Sequence, residues 1–180
     1  QHLAVIRDCA DRGDLASLKN YLNDYENMFP IQEVRTYCKN YAVNAILSFY
    51  AEKAEKNGIS MQVTIQMADP PVIPETEFCV LVGNLLENAV DACADTDAEI
   101  QSFIRLHVVQ TGSSMLSITA DNTSSGSPNW SGDKLLSTKH SGYGIGTESI
   151  RMIAERYGGD ARFRWKDGIF YASVMLNPQV

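Results

Sequence analysis

Three short segments carry residues whose types and spacing could do chemistry. The first is Gly83-Asn84-Leu85-Leu86-Glu87-Asn88-Ala89-Val90-Asp91-Ala92. On a helix, Phe78, Leu81, Leu85, Ala89 and Ala92 share one face, while Asn84, Asn88 and Asp91 share another. Two stacked asparagines are odd on a plain solvent face, where Glu and Lys form helix better. An Asn carbonyl oxygen is a hard ligand suited to Mg²⁺ held mainly by phosphates and water. A polar helix edge would show the same spacing, so this segment alone leaves both readings open. The second segment is Ile118-Thr119-Ala120-Asp121-Asn122. A carboxylate at the end of a buried strand can accept from an exocyclic amine such as that of adenine; a turn-forming Asp-Asn pair is the plainer alternative. The third runs Ser137-Thr138-Lys139-His140-Ser141-Gly142-Tyr143-Gly144-Ile145-Gly146-Thr147-Glu148. Its alternating glycines let the backbone approach a ligand closely. They open a helix whose N-terminal amides and dipole favour anions. Lys139 adds a positive charge to the same loop. The segment has the physics of a phosphate cradle. It is neither the Gly-x-Gly-x-x-Gly that directly follows a strand in dinucleotide sites nor a P-loop, which needs Gly-Lys-Ser/Thr.

These segments need elements to hold them. Leu3, Val5, Ile6 and Ala10 give a short helical stripe broken at Arg12-Gly13-Asp14, with Asp14 as the N-cap of a second helix carrying Leu15, Leu18, Leu22 and Tyr25. A longer helix is expected from about Val34 to Lys56, closed by Asn57-Gly58. Ile59, Met61, Val63, Ile65 and Met67 alternate with polar residues and read as a strand. A helix follows over about Glu75–Ala94. Two strands, Ile104–Val108 and Met115–Ala120, are joined at Thr111-Gly112-Ser113-Ser114. The stretch from Asn122 to Gly142 is polar and aperiodic, as a functional lid would be. A helix over Thr147–Tyr157 stops at Gly158-Gly159, and two last strands flank Asp167-Gly168 as a hairpin. Helices in front and a β-α-β-β-lid-α-β-β order behind predict a two-layer α/β domain preceded by a helical piece.

The whole chain is 180 residues with 15 basic and 22 acidic side chains, a net charge of −7. Such a length buries a core without staples. The acidic balance argues against a sequence-independent nucleic-acid binder, which needs a basic face. No apolar run approaches the roughly 18 residues needed to span a bilayer, and no signal peptide is visible. Cys9, Cys38, Cys79 and Cys93 are widely separated and read as thiols in a reducing compartment, with metal ligation by cysteine not expected. A first residue of Gln in mid-helix pattern reads as a piece of a longer protein.

Taken in order, the three segments resemble the GHKL ATP-binding domain shared by gyrase, heat-shock chaperones, histidine kinases and MutL. Asn84 and Asn88 match its asparagine box, Asp121-Asn122 the first glycine-box position, and Gly142-Tyr143-Gly144-Ile145-Gly146 the second glycine box. Ser137-Thr138-Lys139 and the phrase from Gly144 to Gly159 are similar to sensor histidine kinases. Within that group the chain looks most like the peptide quorum-sensing (accessory gene regulator) type. Leu15–Tyr25 resembles a second dimerisation helix, and Asn40–Leu47 the opening of the first ATP-domain helix.

The resemblance implies a mixed sheet backed by helices, the Bergerat two-layer α/β sandwich, over residues 31–180, with truncated dimerisation helices over 1–30. It implies ATP and Mg²⁺ as cofactors, with Asp121 on the adenine amine and Asn88 on the metal. Asn84, Lys139, Gly142, Gly144, Ile145, Gly146 and Thr147 would lie around the phosphates. The implied reaction is γ-phosphoryl transfer to a histidine upstream of the chain, then to a response regulator, in a homodimer forming the cytoplasmic part of a membrane-bound bacterial sensor. The chain itself is expected to touch neither membrane nor nucleic acid. His2 looks like the tail of an acceptor box rather than the acceptor, and His107 and His140 have no assigned role. Gyrase-like enzymes place a water-activating glutamate where this chain has Asn84, so direct hydrolysis is disfavoured. Glu87, next to Asn88, is the group placed to polarise an acceptor imidazole. Thr123 and Ser125 stand where the first glycine box has glycines. Two other classes stay in view: a nucleotide-binding scaffold without turnover, and an anti-sigma-factor-type serine kinase.

Overall fold

The computed structural model describes residues 2–28, 36–68, 70–97, 99–126, 130–131, 134–135 and 145–178. The chain divides into two compact units, Gln1–Arg35 and Thr36–Val180. The first holds α1 (His2–Asp11) and α2 (Leu15–Met28). Gly13, at φ +65°, closes α1: its N–H donates to Ala10 and that of Asp14 to Cys9, satisfying two carbonyls of the last turn. Asp14 then caps α2 by accepting from the Ser17 amide at 3.0 Å, as its position in the sequence predicts.

The second unit contains α3 (Tyr41–Lys56), β1 (Ser60–Gln66), α4 (Glu75–Ala94), β2 (Phe103–Thr111), β3 (Met115–Thr123), β4 (Trp130–Ser131), β5 (Lys134–Leu135), α5 (Ile145–Arg156), β6 (Asp160–Lys166) and β7 (Ile169–Leu176). Five strands form one mixed sheet in the order β1-β2-β3-β7-β6. β1 and β2 are parallel, with α4 in the connection between them, and every other pair is antiparallel. β4 and β5 make a separate two-stranded ribbon within the stretch expected to be an aperiodic lid. The β6–β7 hairpin turns on Asp167 (φ 52°) and Gly168 (φ 78°), the two positive angles that a tight two-residue turn requires.

The strand pattern decides which side of the sheet is covered. Ile104, Leu106 and Val108 of β2, Leu116, Ile118 and Ala120 of β3, and Ala172, Val174 and Leu176 of β7 are buried. Those of β2 and β3 pack beneath α4, which contributes Phe78, Leu81, Val82, Leu85, Leu86, Ala89, Val90 and Cys93, and those of β7 lie beneath α5. Each Val, Leu and Phe side chain among these contributes about 1.5–3 kcal/mol when fully removed from water, so α4 is the keel of the domain. Polar pairs set its neighbours: Asn40 donates to Glu75 Oε2 at 2.7 Å, Lys53 of α3 lies 3.6 Å from Asp91, and Arg156 of α5 lies 2.7 Å from Glu77.

The predicted helix from Val34 begins later than expected. Residues 36–40 are irregular, and α3 starts at Tyr41. Asn40 caps it, accepting from the Val43 amide at 3.0 Å. Asn44 Oδ1 reaches back to the amides of Tyr37 at 2.6 Å and Cys38 at 3.4 Å. These side-chain bonds offer residues 37–40 an alternative to helix. At the far end Gly58 (φ 69°) and Ile59 donate to Glu55 and Ala54, so the Asn57-Gly58 stop falls where predicted.

Candidate functional site

α4 presents Asn84 and Asn88 on its half-buried flank, one turn apart. Asp91, which shares their stripe, is drawn towards Lys53 of α3 and therefore belongs to the helix–helix seam. Glu87 is exposed beside them.

α5 brings the next component. It begins at Ile145, two residues before the expected Thr147, so Ile145, Gly146 and Thr147 form its first turn. Gly146 lies directly over the asparagines. A Cβ there would stand 3.4 Å from both Nδ2 and Oδ1 of Asn88 and 3.6 Å from Asn84 Oδ1. The start of a helix, whose dipole favours anions, thus faces two carboxamides, and a Cβ at residue 146 would take up the space between them in ordinary contact. Lys139, Gly142 and Gly144 lie outside the described residues, as does His140.

The sheet supplies the third component. Cys93, near the end of α4, has its Sγ 3.4 Å from the carbonyls of both Thr123 and Phe103, and its single S–H is shared between them. This ties the end of β3 to the part of α4 that follows Asn88. Burial pushes the Cys93 thiol up to about 11, so it stays protonated and serves as a donor. Thr123 Oγ1 accepts from the Phe103 amide at 3.0 Å and closes the start of β2 onto the end of β3.

At this strand end the structure corrects one expectation. Leu116, Ile118 and Ala120 face the helices, and strict alternation gives that face to Asn122, which is 2% exposed. Asp121 lies on the opposite side of the sheet and is not brought together with Asn84, Asn88 and Gly146. Its cross-strand neighbours are Arg105 and Tyr171. Partial burial raises its carboxyl above the usual range, and the charges of His107, Arg105 and Arg164 on the same outer face offset part of that rise. Asn122 donates through Nδ2 to the Thr123 carbonyl at 2.8 Å, and its Oδ1 can act only as an acceptor. The alternation of Leu116, Ile118 and Ala120 is the signal in the sequence that picks out Asn122.

A carboxamide pair, a helix N-terminus and a buried acceptor at a strand end can together hold a molecule that combines an anionic tail, a hard cation and an exocyclic amine. Among the described residues no cluster of His, Cys, Asp and Glu could hold a metal by itself, so a cation here would need ligand oxygens besides that of Asn88. No described helix is long and apolar enough to cross a membrane.

Comparison with known proteins agrees with this architecture. Residues 74–177 match the GHKL domain family, and the chain belongs to that family. The match runs from the start of α4 to the end of β7 and so takes in every component of the site. Among solved structures, the catalytic domain of the histidine kinase ThkA aligns with a TM-score of 0.57 at 16% identity, over 82% of this chain and 100% of that one. The histidine kinase domain of the Erythrobacter litoralis EL346 blue-light activated histidine kinase aligns with a TM-score of 0.58 at 13% identity, over 98% and 83%. Full-length ShkA, solved in complex with AMPPNP, aligns with a TM-score of 0.54 at 13% identity, over 83% of this chain and 33% of that one. At these identities the likeness is one of fold. No curated protein matches the chain.

Proposed function

We propose that this chain is the ATP-binding catalytic portion of a sensor histidine kinase. The observation that carries the reading is the placement of Gly146 against Asn84 and Asn88, because a helix N-terminus facing a carboxamide pair fits phosphates and their cation. The family membership supports it, as does the fold shared with ThkA and with the AMPPNP-bound ShkA.

On this reading Asn88 Oδ1 holds Mg²⁺ and Asn84 lies near the phosphates. The amides of Ile145, Gly146 and Thr147 orient the phosphate chain, and Lys139, Gly142 and Gly144 of the preceding loop complete the cradle. Asn122 takes the base-reading role first expected of Asp121, its Oδ1 accepting from the adenine amine. Mg-ATP, when bound, supplies the γ-phosphoryl group and neutralises part of its charge. Exposed Glu87 is placed to polarise an incoming imidazole, whereas Asn84 has no pKa suited to activating water. The product is a phosphohistidine in a homodimeric sensor, passed on to a response regulator. The peptide quorum-sensing type and a membrane-bound parent protein are part of the same reading.

Transfer is tested with γ-labelled Mg-ATP on the full-length protein that carries this chain. Label that is stable to alkali and lost in acid is expected. Acid-stable label would point to serine, and absence of label to a scaffold without turnover. Glu87→Gln is expected to slow transfer at least about tenfold while leaving ADP affinity unchanged.

A further inference from the structure

Among the described residues, the indole N–H of Trp165 is buried and finds no hydrogen-bond acceptor. Burying a donor unpaired is costly, because the water it gives up is not replaced, and each such case in a folded protein calls for an explanation.

Trp165 of β6 pairs with Phe170 of β7, and Phe170 pairs with Asn122 of β3. Alternation puts all three on the helix-facing side, since Ala161, Ala172 and Ala120 on the same faces are buried. The row Asn122–Phe170–Trp165 therefore crosses the sheet at the end where Cys93 meets Thr123. The N-terminus of α5 lies at this end too. α5 is closed by Gly159 donating to Ala154, after which β6 starts at Asp160 and runs back along the helix, so that Trp165 lies towards its N-terminal end. Two strand spacings separate Asn122 from Trp165, about 10 Å, a span that an adenosine covers. Phe163 stacks on Phe170 with ring centroids 6.1 Å apart and fixes the apolar surface between the two polar atoms.

We propose that Trp165 is a nucleotide-contacting residue whose indole N–H donates to a ring nitrogen of the purine. This rests on the nucleotide reading above and deepens it. Asn122 offers an acceptor and Trp165 only a donor. The pair therefore matches a base that presents an amine and, across its six-membered ring, a ring acceptor, as adenine does with N6 and N3, and opposes guanine at the Asn122 end. Phe170 is the floor between them.

Trp165→Phe keeps the aromatic ring and deletes the donor. With calorimetry using ADP, adenosine and inorganic pyrophosphate, the variant is expected to bind ADP and adenosine about 3- to 10-fold more weakly, the scale of one neutral hydrogen bond. Pyrophosphate binding is expected to be unchanged. The unliganded variant is expected to melt no lower than the parent, because it sheds an unpaired donor. The chain has two tryptophans, so the indole cross-peak missing from the variant's nitrogen–proton spectrum identifies Trp165. That peak is expected to shift when ADP is added to the parent. Unchanged ADP affinity in the variant, an equal loss for pyrophosphate, or a Trp165 peak unmoved by bound ADP would each overturn the assignment. Absence of ADP binding by the parent itself would instead overturn the nucleotide reading on which it stands.

Discussion

The backbone of Gly146 lies over the side-chain amide of Asn88, and a Cβ at residue 146 would stand 3.4 Å from both Asn88 Nδ2 and Oδ1. That distance is ordinary packing in the protein alone, but it fills the gap in which a phosphate oxygen or a cation would sit. Gly146→Ala is expected to leave the melting temperature unchanged or slightly raised, since alanine favours helix over glycine by about 1 kcal/mol. The affinity for Mg-ADP is expected to fall by about tenfold or more, read by calorimetry. Separation of the two effects marks the gap as a ligand site rather than a packing seam.

Asn122 and Asp121 are adjacent in sequence but lie on opposite faces of β3. Asn122→Ala is expected to weaken ADP binding by about tenfold, from the loss of a buried acceptor, whereas Asp121→Asn is expected to leave it within twofold. Calorimetric titration of both variants checks the pair. The reverse ranking would return the base-reading role to Asp121.

Asp121 also gives the domain a pH dependence of definite sign. Burial raises its carboxyl despite the neighbouring His107, Arg105 and Arg164. The folded state therefore holds that proton more tightly than the unfolded chain does. The stabilising contribution is fully present below the unfolded pKa and is lost as pH rises through the folded one. Asp121→Asn is expected to flatten that part of the stability-versus-pH curve and to change neutral-pH stability by no more than about 0.5 kcal/mol. Urea unfolding at stepped pH reads it.

Gly159 turns α5 into β6 at a point where a Cβ would overlap the backbone carbonyl of Met175 in β7. Backbone cannot step aside as a flexible side chain can. Gly159→Ala is expected to cost about 1–3 kcal/mol and to lower the melting temperature with no change in the ADP affinity of the protein that remains folded. Gly158, at φ +63°, is the companion position that closes the helix.

Much of this architecture is legible in the residues, and the failures have physical causes. α4 falls at Glu75–Ala94 as its apolar stripe predicts, and the alternation and turn residues of β1, β6 and β7 place them within a residue or two. Tyr37 and Cys38 suit a helical stripe, but Asn40 and Asn44 give their backbone other partners, a competition that periodicity does not register. The ribbon β4–β5 has two residues per strand, too few for alternation to show. Asp121 stands out chemically as a carboxylate, whereas the alternation of Leu116, Ile118 and Ala120 puts its neighbour Asn122, not Asp121, on the helix side. Asp91 shares the stripe of Asn84 and Asn88, but its partner, Lys53, lies on another helix, where spacing along α4 cannot point to it. Trp165 carries no motif, and its role emerges only from the pairing of β6 with β7 and of β7 with β3.

The central claim is that Asn88, beneath the first turn of α5, holds the cation of a bound nucleotide. Calorimetric titration of a non-hydrolysable ATP analogue, with and without Mg²⁺, into the parent chain and Asn88→Ala tests it most directly. The expected result is binding by the parent that Mg²⁺ strengthens about tenfold or more, and weak binding by the variant that Mg²⁺ no longer improves. Equal Mg²⁺ dependence in the two proteins, or no binding by the parent, would contradict it.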